Sequence, residues 1–333
     1  MTIAIAKLLD RQKYDVKFVV IGQRIGEIKE FIPDGYPLSL IKIRNIFDFT
    51  TLRLFNLLRR ERPHYVFCSL MYLNPRVIQA AEWVGNCKII VRFNCAVNRV
   101  SGITKYLTKK TYNKADVVIA QTERMQEELE KAYHLVPGKV VTMHNMLDTE
   151  TIRRKLEEAD NPYPNDGNKR YVWVGRFDRV KCVEVAVKAF VEAYKTDSRI
   201  SLYVVGKYNE SSAHYQEVLS LLHGEPAGPN VHFVGFQSNP YKWMKYADCF
   251  LLSSSTEASP NALFEALYLG IPVVATRCTP NIDDIVSEGE NGYAVKVGDV
   301  SGMAEKMLYA TELKDVKPIY HHSMPTDFIK LFN

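Results

Sequence analysis

The sequence lacks the residue patterns that mark several classes of functional site. None of its six cysteines forms a CxxC pair and its eight histidines include no HExxH, so we expect reduced core thiols and no metal. No GxGxxG follows any strand-like segment, which argues against a nicotinamide-dependent dehydrogenase. No run approaches the ~18–20 consecutive apolar residues of a membrane-spanning helix, and no secretion signal opens the chain. These absences lead us to expect a cytoplasmic protein.

The overall composition is typical of a globular chain. Its 333 residues are 47% hydrophobic and 24% charged, which excludes a disordered tail, a collagen-like fibre and a small disulfide scaffold. That length is sufficient for two domains of ~100–200 residues each.

The net charge of +5 is divided unevenly along the chain. Residues 1–150 contain 23 Lys and Arg against 15 Asp and Glu, whereas residues 151–333 contain 20 against 23. Many of the early cations fall on two amphipathic segments, Leu52–Arg62 and Ile103–Lys114. A basic helix face is compatible with a solvated surface, with peripheral contact to the inner face of an anionic membrane, or with nucleic acid. Because no nucleic-acid-binding motif accompanies the charge, we expect no nucleic acid.

Strand-like and helix-like segments alternate from one end of the chain to the other. Such alternation predicts an α/β protein with parallel sheets covered by helices. The polar segment Ala159–Lys169, with two prolines and a glycine, is typical of a linker. We therefore expect one Rossmann-like domain over 1–158, a second over 170–315, and a tail over 316–333 that can pack back on the first. The strand-like segments are Val16–Ile21, Tyr65–Ser69, Lys88–Arg92, Asp116–Ala120, Lys139–Met143, Tyr171–Gly175, Ile200–Gly206, Val231–Gly235, Cys249–Ser253, Pro272–Thr276 and Ala294–Val297.

The order of the first two segments is unusual for a doubly wound domain. A helix-like stretch, Thr2–Leu9, precedes the first strand-like segment, whereas such domains usually begin with a strand and a glycine-rich turn. Either the first domain starts with a helix, or its first strand and loop are missing ahead of Thr2.

Two cations follow the strand-like segment Tyr171–Gly175, at the end of a parallel strand where ligands usually bind. The loop has the sequence GRFDRVK, in which Arg176 and Lys181 lie five residues apart. An arginine fork and a lysine point charge that leave the same strand end can hold a diphosphate. Two solvated cations are the alternative.

A second candidate loop follows the strand-like segment Cys249–Ser253. Pro260 fits the first turn of a helix, whose free N–H groups near Asn261–Leu263 would bind phosphate with help from the helix dipole. Glu265 lies about one turn inside that helix and could hold the vicinal hydroxyls of a ribose, because a carboxylate accepts two hydrogen bonds. Glu257, in the preceding loop, could hold hydroxyls of a second sugar. Two ordinary solvated glutamates are the alternative.

Together these residues carry a resemblance to a known family. Glu257 and Glu265, followed by the strand GIPVVAT, resemble the E-x7-E signature of retaining GT-B glycosyltransferases of the family-four type. Arg176 and Lys181 resemble the family's GR…K pair. Further resemblances to the family, in the same order, lie in the segments Val231–Phe236, TPNIDDIVSEGENGYAV and His144–Asp148.

The resemblance implies two Rossmann-like domains that face a cleft, the first binding a glycan or lipid-linked acceptor and the second a nucleotide-diphosphate sugar. Arg176 and Lys181 would neutralise the leaving diphosphate, Glu265 would bind the ribose and Glu257 would contact the donor sugar. Transfer would retain the anomeric configuration without a metal ion. The remaining donor-binding positions implied by the resemblance are Gly175, Phe236, Gln237, Asn261, Ala262 and Leu263.

The sequence departs from the family pattern in several places. The family's opening strand and Gly-Gly loop are missing ahead of Thr2. Arg92 and Asn94 stand where the family often has a histidine near the reacting sugar, and they are either acceptor-side contacts or a strand end without a role. Ala258 and Cys182 stand where the family commonly has glycine.

Three functions therefore remain open from the sequence. The leading one is a glycosyltransferase of polysaccharide or glycolipid biosynthesis. The second is a truncated, catalytically impaired relative that still binds a nucleotide sugar. The third, another GT-B enzyme such as an epimerase or phosphorylase, agrees less well with the paired cations and glutamates.

Overall fold

Helices and parallel strands alternate throughout the computed structural model, which describes residues 2–32, 34–43, 50–157, 159–279, 281–314, 316 and 325–332. The strands are β1 Phe18–Gly22, β2 Leu38–Lys42, β3 Tyr65–Cys68, β4 Lys88–Arg92, β5 Val117–Ala120, β6 Val140–Thr142, β7 Lys169–Val174, β8 Ile200–Val205, β9 Val231–Gly235, β10 Cys249–Leu252, β11 Val273–Thr276 and β12 Gly292–Val295. The helices are α1 Thr2–Leu8, α2 Thr50–Glu61, α3 Asn74–Val84, α4 Gly102–Thr111, α5 Glu123–Tyr133, α6 Thr149–Glu157, α7 Val183–Tyr194, α8 Ala213–Ser220, α9 Tyr241–Lys245, α10 Asn261–Tyr268, α11 Ile282–Ile285, α12 Val300–Ala310 and α13 Pro325–Ile329.

The chain divides into two units. Unit 1 comprises Met1–Met146 and His322–Asn333, and unit 2 comprises Leu147–His321. The division falls between Met146 and Leu147, whereas the sequence placed the linker at 159–169. Helix α6 therefore belongs to unit 2, where it packs against α9.

The polar segment that was predicted to be a linker is fixed to unit 2. Tyr163 is buried, and its hydroxyl donates to the carbonyl of Trp243. The Arg170 guanidinium donates to the carbonyl of Pro164 at 2.7 Å and also pairs with Asp166. A segment that buries an aromatic ring and supplies carbonyls to a buried guanidinium is part of the packed structure, despite its linker-like composition.

Unit 2 is built on a single six-stranded sheet in the order β12-β11-β10-β7-β8-β9. Numbered from β7, the order across the sheet is 3-2-1-4-5-6, the arrangement of a doubly wound dinucleotide-binding fold. One hydrophobic cluster packs α7 and α12 on one face, and a second packs α10 and α11 on the other. The strands are buried on both faces, as expected when helices cover a parallel sheet.

Unit 1 contains a four-stranded sheet, β3-β4-β5-β6, and a separate pair, β1-β2. Its first described element is α1, and β1 pairs only with β2 among the described strands. Ile5 of α1 and Leu9, directly after it, belong to a cluster with Ile90 and Ile119 of the four-stranded sheet. The C-terminal residues Phe328, Leu331 and Phe332 complete this cluster.

Several helix boundaries have a local cause. Thr122 caps α5, its hydroxyl accepting from the N–H of Met125 at 3.1 Å. Asp299 caps α12 in the same way, accepting from Gly302 at 2.9 Å. Cys182 precedes α7 in the left-handed region, with φ of 46°, where glycine has no steric penalty. This conformation gives a physical reason for the family's glycine at this position.

Candidate active site

The candidate active site lies at the carboxyl ends of β7 and β10, which are neighbours in the unit 2 sheet. The connection after β7 leads to β8 on one side, and the connection after β10 leads to β11 on the other. Ligands of doubly wound sheets bind where the strand order reverses in this way. The two predicted loops, one containing Arg176 and Lys181 and the other Glu257, leave the sheet at this point.

Hydrogen bonds hold the two loops together. The Ser255 N–H donates to the Val180 carbonyl at 2.8 Å, and the Ser253 hydroxyl donates to the Lys181 carbonyl at 2.9 Å. Trp173 of β7 donates from Nε1 to the Ser253 hydroxyl oxygen at 3.0 Å. The backbone that positions Lys181 is therefore fixed by the loop that follows β10.

Lys181 and Glu257 form an ion pair, with Nζ and Oε1 separated by 2.5 Å. Their side chains are 24% and 13% exposed, so the pair is largely shielded from water. The same Oε1 accepts from the Ser254 hydroxyl at 2.8 Å, and the Glu257 N–H donates to the Cys278 carbonyl at 2.9 Å. Oε2 of Glu257 has no hydrogen-bond partner among the described residues.

Arg176 lies in a different environment from Lys181. Its side chain is 84% exposed, and it pairs with Asp178 of the same loop at 3.2 Å. Exposed pairs of this kind contribute about 0–1 kcal/mol, so the guanidinium can exchange Asp178 for another anion at little cost. The same strand end thus carries one shielded cation, Lys181, and one exposed cation, Arg176.

Glycine directly follows β7 and β8 and is the last residue of β9, three neighbouring strands of the unit 2 sheet. The Gly175 N–H donates to the Val205 carbonyl at 3.0 Å, and the Gly206 N–H donates to the Gly235 carbonyl at 2.9 Å. A Cβ atom at Gly206 would lie 1.8 Å from the Gly175 carbonyl oxygen, so only glycine fits there. Sequence reasoning selected Gly175 and overlooked Gly206, although the strand-then-glycine pattern of all three was visible.

Phe177, the residue after Arg176, anchors the cation-bearing loop in a cluster of aromatic rings. Its ring centroid lies between 5.3 and 6.5 Å from those of its neighbours. These neighbours are Trp173, Tyr208, His214, Tyr215 and Phe233. Sequence reasoning did not identify this cluster, because its members are spread over three strands and their loops.

Helix α10 begins at Asn261 as predicted, but most of its first N–H groups are already used. The Asn261 N–H donates to the Ser259 carbonyl and the Leu263 N–H to the Pro260 carbonyl, each at 3.0 Å. Only the Ala262 N–H has no backbone acceptor among the described residues. The Leu263 side chain belongs to the hydrophobic core. The predicted phosphate site of three donors is therefore reduced to one.

Glu265 is a carboxyl group buried without compensation. Burial raises its pKa to about 7, and no hydrogen bond reaches its carboxylate among the described residues. Burial, together with the charges of Glu265 and Asp148, also raises the pKa of Tyr241, which places these groups close to one another. The sequence placed Asp148 in a family-like segment without a site role and did not single out Tyr241.

Phe236 and Gln237 follow β9 at the same edge of the sheet. The Phe236 ring is 60% exposed, whereas Gln237 donates from its amide to the Val234 carbonyl at 3.4 Å. An aromatic face open to solvent next to a strand end can stack on a planar base.

The two acceptor-side candidates lie in unit 1. Arg92 is the last residue of β4 and is buried, whereas Asn94 is exposed and its Oδ1 accepts from the Met71 N–H at 3.2 Å. The sequence left both as either acceptor-side contacts or a strand end without a role.

Two family models match the chain in sequence order. Residues 1–151 match the model for glycosyltransferase family 4, and residues 168–312 match the model for glycosyl transferases group 1. The chain belongs to the group 1 glycosyltransferases. The predicted family is thereby confirmed. The first matched region covers most of unit 1, and the second lies within unit 2.

Three relatives match parts of this chain at 26–28% sequence identity. An uncharacterized glycosyltransferase of Methanocaldococcus jannaschii is 27% identical over 51% of this chain and 42% of its own length. N-acetylgalactosamine-N,N'-diacetylbacillosaminyl-diphospho-undecaprenol 4-alpha-N-acetylgalactosaminyltransferase of Campylobacter jejuni is 26% identical over 80% of this chain and 69% of its own length. N-acetyl-alpha-D-glucosaminyl L-malate synthase of Bacillus anthracis is 28% identical over 58% of this chain and 50% of its own length. The match thus spans about half the length of the first and third of these relatives.

Solved structures confirm the predicted fold. HepE from Anabaena, crystallised with UDP and glucose, superposes with a TM-score of 0.74 over 93% of this chain and 87% of its own, at 16% identity. A glycosyltransferase from Rickettsia africae has a TM-score of 0.74 over 99% of this chain and 88% of its own, also at 16% identity. At this identity the likeness establishes the GT-B fold.

The described residues contain neither a cluster of metal ligands nor a helix that could span a membrane. No group of three or more His, Cys, Asp or Glu side chains there is arranged to hold a metal ion. None of the helices in that part of the chain is both long and apolar enough to cross a membrane.

Proposed function

We propose that this protein transfers a sugar from a nucleotide-diphosphate sugar to a glycan or lipid-linked acceptor, with retention of anomeric configuration. The observation that carries the proposal is the Lys181–Glu257 pair at the point where the strand order of unit 2 reverses. One member of the pair suits a phosphate oxygen and the other suits a sugar hydroxyl. The UDP complexes of the similar HepE structures support a nucleoside diphosphate as the leaving group.

The proposed chemistry is charge stabilisation at the diphosphate. As the bond between the sugar C1 and the diphosphate oxygen breaks, the electron pair stays on the diphosphate. Lys181 has three N–H donors and uses one on Glu257, so its remaining donors can reach phosphate. Arg176 can move from Asp178 to the same diphosphate, and together the two cations would stabilise the developing charge. The acceptor oxygen then bonds to C1 on the face that the diphosphate leaves, and its proton passes to the diphosphate.

We assign the remaining contacts to the nucleotide sugar from where each residue lies in unit 2. Glu265 would accept the ribose hydroxyls, Phe236 would stack on the base, and Gln237 would lie beside it. Oε2 of Glu257 would accept a hydroxyl of the donor sugar. Gly175 and the Ala262 N–H would allow phosphate to approach the backbone, with Asn261 and Leu263 setting the start of α10. Because the chain's own cations supply the charge, we propose turnover that is insensitive to EDTA.

Calorimetric titration with UDP, GDP and ADP tests the donor site. We expect one nucleotide to bind with micromolar affinity, weakened about tenfold or more in Arg176→Ala and in Glu265→Ala. Arg179→Ala is the matched control, because Arg179 lies in the same loop, is exposed, and pairs with Glu217 at 2.9 Å. A donor-hydrolysis assay then separates an enzyme from a relative that only binds nucleotide sugar. Absence of binding by all three nucleotides in folded protein contradicts the proposal.

We also propose that unit 1 docks on the inner face of an anionic membrane through α4. This helix buries two polar residues and exposes two apolar ones, the reverse of the usual arrangement. Thr108 and Thr111 are buried, whereas Ile103 and Tyr106 are each 60% exposed. Residues three apart share a helix face, so the two exposed apolar side chains lie together.

The charge of α4 supports a lipid partner. Its sequence, GITKYLTKKT, contains three lysines and no acidic residue, and Lys110 lies 5.9 Å from the centre of the Tyr106 ring. An exposed tyrosine and isoleucine framed by lysines suit the boundary between acyl chains and anionic headgroups. The Campylobacter relative, whose name includes a diphospho-undecaprenol substrate, supports an acceptor held at such a surface.

A further inference from the structure

Arg92 is a buried cation at the carboxyl end of a central strand of unit 1. Arg92 is 5% exposed, and none of the described carboxylates forms a salt bridge with it. One guanidinium nitrogen, Nη2, donates to Oδ1 of Asn145. Its Nε is buried and has no hydrogen-bond partner. Arg92 therefore holds a positive charge and at least one unused donor inside the unit.

Such an arrangement is unfavourable for a protein without a ligand. Burial alone lowers the pKa of Arg92 to about 10, and no neighbouring acid offsets the effect. Buried charges in folded proteins are ordinarily paired, because an unpaired charge loses its hydration without compensation. Among the described residues, the Arg92 guanidinium contacts a neutral amide, that of Asn145, and no carboxylate. Its charge is therefore uncompensated there.

Arg92 is held through both its backbone and its side chain. Asn74, at the start of α3, donates from its amide nitrogen to the Arg92 carbonyl at 2.9 Å and to the Tyr112 hydroxyl at 3.0 Å. Asn145, which follows β6, accepts from the side chain. A second orphan lies in the same network, because Oδ1 of Asn74 is also buried without a donor. These contacts fix the cation before any ligand arrives.

The position of Arg92 is that of a ligand-binding residue. Parallel sheets bind their ligands beyond the carboxyl ends of the strands, and Arg92 ends β4 while Asn145 follows β6. Arginine matches the planar or tetrahedral oxygen sets of carboxylate and phosphate with paired donors.

We propose that Arg92 is the anion subsite of the acceptor, receiving a carboxylate or phosphate group that the acceptor carries. The inference rests on the proposed transferase function, and it names the acceptor as an anion. Asn74 and Asn145 are positioning residues in this assignment, since they hold the Arg92 backbone and side chain. Residues 1–150, which include most of unit 1, have the basic balance that such an acceptor requires, with 23 Lys and Arg against 15 Asp and Glu.

The test observes the orphaned donor itself. Full-length protein labelled with ¹⁵N-arginine gives an Nε–H resonance for each ordered arginine, and the Arg92 signal is assigned by its loss in Arg92→Lys. The probes are inorganic phosphate, L-malate and glycerol 3-phosphate, with glycerol and sodium chloride at matched ionic strength as controls. A fourth probe, phosphatidylglycerol vesicles, distinguishes a lipid headgroup from a free anion.

The expected result is a saturable shift of the Arg92 resonance with at least one anionic probe and none with glycerol or chloride. A shift with vesicles alone assigns the anion to a lipid headgroup, and a shift with soluble probes assigns it to a free anionic acceptor. Arg92→Gln should weaken binding of the same probe about tenfold or more. Arg99→Gln, a nearby exposed arginine, should leave it unchanged.

An Arg92 resonance that no probe moves overturns the inference, and it does so in wild-type protein, so the folding of variants is not at issue. UDP titration of the same sample separates this failure from failure of the proposed function. Retained UDP binding with an unmoved Arg92 signal removes only the acceptor subsite. Lost UDP binding with a responsive Arg92 signal removes the donor site and leaves an anion-binding unit 1.

Discussion

The Lys181 ammonium nitrogen lies 2.5 Å from Oε1 of Glu257, although the two residues are separated by 76 positions in the chain. The same oxygen accepts from Ser254, while the Lys181 carbonyl accepts from Ser253. The pair thus joins a group suited to phosphate with a group suited to a sugar hydroxyl. A donor that engages both would be held across the bond that breaks.

This relationship predicts that substitutions of the two residues have different effects on UDP and on the UDP-sugar. Lys181→Met should weaken both ligands by about tenfold or more, because a charge-assisted contact to phosphate is lost in each. Glu257→Gln should leave UDP affinity within about twofold and weaken the UDP-sugar, because UDP lacks the hydroxyl that Glu257 would bind. Calorimetry with both ligands measures the difference. Equal losses for the two ligands in Glu257→Gln would show that Glu257 acts only through Lys181.

Glu265 predicts a dependence of stability on pH. Its folded pKa of about 7 exceeds the ordinary value of 4.5, so the folded state binds more protons than the unfolded state between these values. Its contribution is fully present below about pH 4.5 and is lost as the pH rises through about 7. The loss is on the order of 2–3 kcal/mol in the free energy of unfolding. Urea denaturation of wild type and Glu265→Gln at pH 5 and pH 8 measures it, since the neutral glutamine removes this dependence.

The same carboxyl predicts a pH dependence of nucleotide binding. Ribose hydroxyls donate to the ionised carboxylate, so UDP affinity should rise as the pH passes through about 7. In Glu265→Gln the affinity should be lower and should vary less over that range. A pH profile that is unchanged by the substitution would assign the titration to another group.

Gly206 predicts a large loss of stability for the smallest possible substitution. In Gly206→Ala, the new Cβ would lie 1.8 Å from the Gly175 carbonyl oxygen, which forces the ends of β7 and β8 apart. We expect a loss of about 3 kcal/mol or more, because the overlap is with a backbone atom that no side-chain rearrangement can move away. Gly224→Ala is the control, because Gly224 has φ of 78° but no atom within 4 Å of the new Cβ. Its cost should be limited to the ~1–2 kcal/mol of a left-handed backbone, as measured by urea denaturation.

Helix α4 predicts binding to anionic vesicles. Tyr106→Ser should lower co-sedimentation with phosphatidylglycerol-containing vesicles. The double variant Lys109→Gln, Lys110→Gln should lower the affinity for these vesicles about tenfold or more, because each lysine near the surface contributes about 1 kcal/mol of binding. Tyr309→Ser is matched to Tyr106→Ser, since Tyr309 is also exposed on a helix and lies 5.2 Å from a lysine, Lys306. Equal effects of the two tyrosine variants would contradict docking through α4.

Much of the secondary structure was predictable because burial periodicity is a local property of sequence. The predicted bounds of Lys88–Arg92 and Val231–Gly235 match β4 and β9 residue for residue. Strand β2, Leu38–Lys42, was missed because its pairing with the distant Phe18–Gly22, rather than a strong local pattern, makes it a strand. The spacing of the E-x7-E signature likewise led directly to Glu257 and Glu265.

The sequence by itself determined the fold family, the loops that follow each strand and the residue types that these loops contain. Only the tertiary structure decided which of those residues are fixed, buried or paired. The sequence treated Arg176 and Lys181 alike, yet one is exposed beside Asp178 and the other is held by Glu257. The physical reason is that the order of strands in a sheet depends on hydrogen bonds between segments far apart in the chain. That order brings β7 beside β10 and makes β4, which ends in Arg92, a central strand, and no local pattern records either fact.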